Sequence, residues 1–84
     1  MAKESRILKA MYALVKDRED QTSWPLDPVA ISAQTPGLSL GEIEQEIRDL
    51  HYKNLVELDH APDMSIFCRF TPDGLQEAEK AARH

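Results

Sequence analysis

Residues 36–50 constrain the fold of this chain most, because they combine a turn signal with a complete signal for the start of a helix. Gly37 follows a proline, and glycine accepts the positive φ angles of tight turns at little cost. Ser39 and Glu42 have the spacing of a capping box, in which each side chain accepts a hydrogen bond from the other residue's backbone N–H group. The sequence therefore predicts a turn followed by an amphipathic helix over residues 40–54.

The predicted helix over residues 40–54 has two different faces. Steps of three and four residues place one set of side chains on the inward face, namely Leu40, Ile43, Ile47, Leu50 and Asn54. The opposite face carries Gly41, Gln45, Arg48 and Tyr52. We expect the first face to join the core and the second to face away from it.

Two further helices are predicted before this one. Residues 3–16 carry an apolar stripe at helical spacing, made of Ile7, Leu8, Met11, Leu14 and Val15. Residues 28–34 follow Asp27, which is a good N-cap, and begin with a proline at the first helical position, where its missing N–H group costs little. Trp24 lies between the two helices and precedes a proline that favours extended backbone. We expect Trp24 to pack against the core or to form a short edge strand.

The C-terminal third of the chain predicts a hairpin and a last helix. Two short β-rich segments, residues 55–59 and 66–70, flank a turn that contains a proline and an aspartate. Cys68 alternates in phase with the apolar residues of its strand, so we expect a small core residue there. The last helix is predicted over residues 72–83, and its inward positions are Leu75, Ala78 and Ala82.

Composition places the chain among small folded proteins. It has 84 residues, of which 42% are hydrophobic and 30% charged, and this balance suits one globular domain rather than a disordered segment. A single cysteine excludes an internal disulfide bond and fits a reducing compartment. No secretory signal is recognisable, and no apolar run approaches the ~20 residues that a membrane span needs. These observations predict a single cytoplasmic α+β domain over residues 1–84, without contact with a membrane.

The predicted order of helix, helix, turn, helix, hairpin and helix is that of a winged helix-turn-helix domain. Three local features resemble transcriptional regulators of the MarR and PadR types. They are the Gly-Leu-Ser at residues 37–39, the exit into the hairpin at residues 49–57, and the Phe-Thr-Pro-Asp-Gly at residues 70–74. The resemblance covers nearly the whole chain from Ile7 onward. It implies a small winged helix of three helices, a two-stranded wing hairpin and a C-terminal helix.

In that family the third helix enters the major groove of DNA, and the wing contacts the backbone or the minor groove. The resemblance therefore implies a DNA-binding or transcription-regulatory module whose partner is double-stranded DNA. The base-reading candidates are Gly41, Gln45, Arg48 and Tyr52, and the phosphate-contact candidates are Ser39, Lys53 and Arg69. Because family regulators often dimerise through their first and last helices, the resemblance also implies a homodimer through helices 1 and 4.

The charge of the chain favours a different partner. The formal net charge is −5, and residues 42–63 alone contain seven acids and two bases. DNA affinity rests largely on the neutralisation of phosphates, which these acids would repel. The alternative hypothesis is an acidic winged helix that acts as a protein–protein interaction adaptor, has no intrinsic DNA binding and docks on a basic protein partner. The surface in that case consists of Glu42, Glu44, Glu46 and Asp49.

The sequence gives little support to an enzyme. The three histidines lack the spacing of a zinc site, Cys68 has no CxxC partner, and no glycine-rich phosphate loop is present. His60 with Asp59 and Asp63 could chelate an ion weakly, but an exposed hairpin loop explains these three residues better. We therefore predict a protein that is not an enzyme and has no catalytic residues, no metal and no cofactor.

Overall fold

The computed structural model describes residues 3–83, which form four helices and a two-stranded antiparallel hairpin. The α+β class expected from the sequence is confirmed. In chain order the elements are α1 (Lys3–Val15), α2 (Pro28–Gln34), α3 (Leu40–Tyr52), β1 (Val56–His60), β2 (Ile66–Phe70) and α4 (Pro72–Ala82). Every element begins and ends within two residues of its predicted bounds.

The start of α3 has the capping box that its sequence predicts. The Ser39 hydroxyl accepts a hydrogen bond from the Glu42 backbone N–H group at 3.1 Å, and the Glu42 carboxylate accepts one from the Ser39 N–H group at 3.3 Å. In the preceding turn, Gly37 has a φ angle of +93°, which would strain a residue with a side chain. α2 begins in a similar way, because the Asp27 carboxylate accepts a hydrogen bond from the Val29 N–H group at 2.7 Å.

The segment between α1 and α2 also pairs with the hairpin, through a single bridge at Leu26. β1 and β2 pair in antiparallel register, with Glu57 opposite Arg69 and Leu58 opposite Cys68. On the other side of β2, the Leu26 N–H group donates to the Cys68 carbonyl at 2.7 Å, and the Leu26 carbonyl accepts from the Cys68 N–H group at 3.0 Å. β2 therefore lies in the middle, and β1 lies at an edge.

The core is built from side chains of every element. The large side chains that are fully buried are Ile7, Met11, Val15, Leu26, Ile31, Ile43, Ile47, Leu50, Val56, Cys68 and Phe70. α1 lies along α4, where Ala78 is fully buried. The prediction that Cys68 is a small core residue is confirmed.

Three residues predicted to face inward are exposed instead. Leu40 is the first residue of α3 and is 48% exposed, because the buried positions of this helix begin only at Ile43. Asn54 lies beyond the end of α3 and has a φ angle of 63°, a left-handed conformation that asparagine tolerates better than most residues. α3 therefore ends before the predicted helical step reaches Asn54. Ala82 is exposed at the end of α4, and Ala81 packs against the edge of the core in its place.

Trp24 also departs from its predicted role as a core anchor or short edge strand. Its side chain is 38% exposed, and the Arg18 guanidinium lies over the indole ring, 3.5 Å from the ring centroid. Arg18 in turn forms a salt bridge of 2.9 Å with Asp20. The core anchor and the bridge to the hairpin are instead supplied two residues later, by Leu26.

The hairpin and α4 meet closely at Gly74. A Cβ atom built on Gly74 would lie 1.6 Å from the Leu55 carbonyl oxygen, so only glycine fits without movement of the backbone. Thr71 stabilises the same junction by two hydrogen bonds. Its N–H group donates to the Leu55 carbonyl at 3.1 Å, and its hydroxyl donates to the Asn54 carbonyl at 2.8 Å.

Among residues 3–83, none of the helices has the length and apolar character that crossing a membrane requires.

Candidate interaction surface

The outward face of α3 is open along its whole length. The four residues predicted to lie there, Gly41, Gln45, Arg48 and Tyr52, are all exposed. Tyr52 is 90% exposed. The space around Gly41 is also open, because a Cβ atom built there would have the Ser39 hydroxyl as its nearest neighbour, at 3.9 Å. The structure therefore brings the base-reading candidates together as one stripe, which we call the α3 outer stripe.

Within the α3 outer stripe, Arg48 and Gln45 differ in their availability. The Gln45 side-chain amide donates a hydrogen bond of 3.2 Å to the Asp49 carboxylate, one helical turn away. The Arg48 side chain makes no hydrogen bond, ion pair or ring contact with any residue in the described range. Arg48 can therefore meet a partner directly, whereas Gln45 must first exchange its bond to Asp49.

The phosphate-contact candidate Ser39 is occupied by the helix cap. Its hydroxyl accepts from the Glu42 N–H group and also lies 3.2 Å from the Glu42 carboxylate, to which it can donate. A phosphate bound here would compete with the carboxylate of the capping box. Ser39 is thus a structural residue of α3 in this arrangement.

Lys53, the second phosphate-contact candidate, is paired with α1. Its ammonium lies 2.5 Å from the Glu4 carboxylate, across 49 residues of sequence. The hydrogen bond to Glu4 is the main cause that raises the pKa of Lys53, and the nearby charges of Asp49 and Glu46 raise it further. The positive charge of Lys53 is therefore largely compensated by acids of the same chain.

Arg69, the third phosphate-contact candidate, lies between two acids of the facing strand. Its guanidinium is 2.5 Å from the Asp59 carboxylate and 3.2 Å from that of Glu57. The Arg69 Nε atom is buried and has no hydrogen-bond partner in the structure. One cation thus holds two carboxylates on this face of the hairpin, and the three side chains together keep a net charge of −1.

The four acids of the alternative interaction surface do not form one cluster. At about 100° per residue, Glu42, Glu46 and Asp49 share the border of α3 that faces α1, and Glu44 lies on the opposite border. Glu42 forms a salt bridge of 3.0 Å with Lys3 of α1. This contact is the first cause that holds the pKa of the Glu42 carboxyl below its ordinary value, followed by the hydrogen bond from the Ser39 backbone. The α3 outer stripe therefore runs between two acidic borders.

The ion pairs between α1 and α3 were missed by reasoning from the sequence. Lys3 pairs with Glu42 near the start of α3, and Glu4 pairs with Lys53 just past its end. The only signal in the sequence is that two adjacent residues of α1 have opposite charges. Their partners are far away along the chain, so the pattern alone does not reveal the pairing.

The described residues contain no cluster typical of a metal site, and their cysteine is buried. No group of three or more histidine, cysteine, aspartate or glutamate side chains within them is placed to hold a metal ion. Burial raises the pKa of the Cys68 thiol to about 12, which makes it a poor nucleophile at neutral pH. The His51 Nδ1 atom lies 3.3 Å from the Val56 carbonyl oxygen, a contact that helps to fix the exit from α3.

Comparisons of this chain with models of protein families, with curated proteins and with solved structures gave no match. The function must therefore be inferred from the geometry and the charges described above.

Proposed function

We propose that this chain is a winged-helix protein-interaction module, in which the α3 outer stripe and its acidic borders dock on a basic segment of a partner protein. The element order and the bridge from Leu26 to the two-stranded hairpin support the winged-helix assignment. The observation that carries the function is that two of the candidate cations are already paired. Lys53 and Arg69 each lie 2.5 Å from an acid of the chain itself, so negative charge stays in excess on α3 and the hairpin.

The magnitude of the charge excess favours a protein partner over DNA. Residues 39–70, which span α3 and the hairpin, contain seven acids and three bases, a net charge of −4. Well-characterised DNA binders neutralise on the order of six to ten phosphates. This surface offers at most three cations, and two of them would have to leave carboxylates that would then face the phosphates unpaired. A basic partner, by contrast, meets these carboxylates without breaking any pair.

The α3 outer stripe also indicates what a basic partner should contain. Glu44 on one border and Asp49 on the other can each pair with a lysine or arginine. The exposed ring of Tyr52 can accept a cation–π contact, which is worth ~0.5–1 kcal/mol at exposed sites. Arg48 in the middle of the stripe requires an acidic or polar residue opposite it. We infer a basic helix or segment with one acidic or polar position among its cations.

The experiment that tests this proposal uses a model peptide and a matched pair of charge reversals. The peptide is an alanine-rich helical peptide with lysine on one face, and its binding is measured by NMR titration. Glu44→Lys reverses a charge beside the stripe, and Glu19→Lys reverses one in the exposed segment between α1 and α2. Both variants change the net charge equally. Two opposite charges ~4 Å apart attract by about 1 kcal/mol in water, and the reversal also adds a repulsion that salt partly screens. We therefore expect Glu44→Lys to weaken binding roughly tenfold, a loss of about 1.4 kcal/mol, and Glu19→Lys to weaken it much less.

The two variants also define the result that would refute the surface. If Glu19→Lys weakens peptide binding as much as Glu44→Lys does, only the total charge of the domain matters and the α3 outer stripe has no special role. Chemical-shift changes that avoid α3 in the wild-type titration would contradict the proposal in the same way.

A second candidate function is DNA recognition by the same stripe, and two observations favour it. Arg48 has no partner among the described residues, and the open space at Gly41 would allow close approach of α3 to a groove. Arginine reads guanine and glutamine reads adenine by paired hydrogen bonds. If DNA is bound, Arg48→Ala should relax the sequence preference at one base pair, and Lys53→Ala should weaken binding to all sequences alike. Identical effects of the two variants would contradict this division of roles.

A homodimer through helices 1 and 4 remains a proposal for the DNA-binding case, because a second copy would supply a second half-site. The large hydrophobic side chains that are exposed among residues 3–83 lie elsewhere, at Trp24, Val29, Leu40, Tyr52 and Met64. A dimer through α1 and α4 would therefore rest mainly on polar contacts. Light scattering at increasing protein concentration tests it, and a monomer at high concentration would exclude it.

A further inference from the structure

The outer edge of β1 is a second surface, distinct from the α3 outer stripe. β1 pairs with β2 on one side, and β2 is bridged on its far side by Leu26. No other strand lies beside β1 in the described part of the chain. The edge of β1 that faces away from β2 is therefore the open edge of this small sheet.

The pairing register tells which backbone groups point to that open edge. Both the N–H group and the carbonyl of Cys68 bond to Leu26, so both point away from β1. Cys68 lies opposite Leu58, and the two therefore form a pair of the non-hydrogen-bonded type. It follows that the N–H group and the carbonyl of Leu58 point outward. By the alternation of a strand, those of His60 do the same.

Hydrogen bonds at both ends of the hairpin agree with this assignment. The Thr71 N–H group donates to the Leu55 carbonyl at 3.1 Å, and the Ala61 N–H group donates to the Ser65 carbonyl at 2.8 Å. These bonds place odd-numbered residues of the first strand towards the second strand. The even-numbered residues, which include Leu58 and His60, then face the edge.

The outward-pointing backbone groups of β1 differ in whether they have a hydrogen-bond partner. The Val56 carbonyl lies 3.3 Å from the His51 ring, so α3 covers the beginning of the edge. The outward N–H and carbonyl groups of Leu58 and His60 have no hydrogen-bond partner among residues 3–83. Two consecutive outward-facing residues therefore offer two donors and two acceptors, which is the arrangement that accepts an added strand.

The charges beside this edge oppose pairing between two copies of the chain. Glu57 and Asp59 lie on the same face of β1 and share Arg69. If two β1 edges met in antiparallel fashion with Leu58 opposite Leu58, Glu57 of one copy would lie opposite Asp59 of the other. Like charges placed directly opposite each other destabilise a strand pair. An added strand with lysine or arginine opposite Glu57 and Asp59 would instead give each carboxylate a cation, whereas the two now share Arg69.

We propose that the outer edge of β1 binds an extended protein segment with lysine or arginine at alternate positions, which adds to the hairpin as an antiparallel strand. The main chain of the segment bonds to Leu58 and His60. Its cations lie on the face of Glu57 and Asp59, and its intervening residues lie on the face of the half-buried Leu58 side chain. This inference does not rest on the function proposed for α3, because it uses different residues and a different mode of binding.

The variant pair His60→Pro and His60→Ala tests the main-chain contact. Because His60 lies opposite Ile66 in a non-hydrogen-bonded pair, proline there removes only the outward N–H group and leaves the ladder to β2 intact. Alanine keeps the N–H group and controls for loss of the exposed imidazole. The probe is a blocked heptapeptide of alternating lysine and valine, titrated by NMR at low salt. We expect the wild type and His60→Ala to bind alike and His60→Pro to bind roughly tenfold more weakly.

Hydrogen exchange and a modified peptide keep the test decisive if His60→Pro fails to fold. The Leu58 and His60 amides should exchange rapidly in the free protein and slowly in the presence of saturating peptide. A peptide with N-methyl groups on the amides that face β1 should not bind. Equal binding of His60→Pro and His60→Ala, or unchanged exchange of the Leu58 amide, would overturn the proposal. So would a loss of heptapeptide binding in Glu44→Lys that matched the loss for the helical peptide, because the peptide would then lie on α3.

Discussion

Substitution of Gly74 by alanine tests the junction on which the position of the hairpin depends. A Cβ atom there would lie 1.6 Å from the Leu55 carbonyl oxygen and 2.6 Å from its carbon, whereas carbon and oxygen in contact stay about 3.3 Å apart. The start of α4 and the segment that enters β1 would have to separate by roughly 1.7 Å. That movement breaks the hydrogen bonds from Thr71 to Leu55 and to Asn54, which lie at 3.1 and 2.8 Å.

The expected cost follows from these bonds. Each contributes about 1 kcal/mol, and loss of packing at the junction adds to them, whereas the better helix propensity of alanine returns at most about 1 kcal/mol. We expect Gly74→Ala to lower the free energy of unfolding by about 2 kcal/mol. For a domain of this size the midpoint of thermal unfolding should fall by roughly 10 °C. Thermal and urea denaturation followed by far-UV circular dichroism measure both quantities.

Gly41→Ala is the matched control for the same substitution in α3. The built Cβ atom at Gly41 has its nearest neighbour at 3.9 Å, so alanine fits without any shift. Alanine also has the higher helix propensity, and we expect Gly41→Ala to stabilise the protein by up to about 1 kcal/mol. If Gly74→Ala were as stable as Gly41→Ala, the close approach of α4 to Leu55 would be wrong, and the placement of the hairpin would have to be revised.

Three smaller predictions concern titratable groups. Because burial raises the pKa of Cys68 to about 12, a thiol reagent at pH 8 should react with it only after unfolding, and rapid reaction of the native protein would contradict this. The folded-state pKa of Glu42 is lowered from 4.5, so its contribution to stability is present above that value and lost as the pH falls through the folded pKa. Glu42→Gln should therefore reduce the acid sensitivity of thermal unfolding, and unchanged sensitivity would count against the Lys3 pair. The pKa of Lys53 is raised from 10.5, so its contribution is present below that value and lost at higher pH. Lys53→Met should flatten this alkaline loss of stability, and an identical alkaline profile would contradict the Glu4 pair.

The features that were predictable from the sequence are those set by neighbouring residues. The capping box of Ser39 and Glu42 and the positive φ angle of Gly37 depend on contacts within four residues, and both are present. The exposed stripe of α3 follows from helical periodicity, which also needs no tertiary information. Local rules failed at Leu40, Asn54 and Ala82, which lie at helix ends, because the extent of the core there depends on where the neighbouring elements stop.

The contacts on which the proposed function rests were not predictable, because they join distant parts of the chain. Lys53 and Arg69 are reasonable phosphate contacts when the sequence is read alone. Their partners come from α1 and from the facing strand, and only the fold brings Glu4 and Asp59 to them. The prediction for Trp24 failed for a similar reason. Trp24 has the larger side chain, but Leu26 is the residue that forms the bridge to the hairpin and is buried.

The most direct test of the central claim is a parallel titration of the wild-type protein with random-sequence duplex DNA and with the lysine-bearing helical peptide. Each is titrated at about 50 mM and about 200 mM salt. With the net charge of −4 over residues 39–70, we expect no detectable DNA binding at either salt concentration. We expect the peptide to bind at low salt, to weaken at higher salt and to shift the resonances of α3. Micromolar binding to DNA that falls steeply with salt, together with no peptide-induced shifts in α3, would contradict the account and establish the α3 outer stripe as a DNA-reading surface.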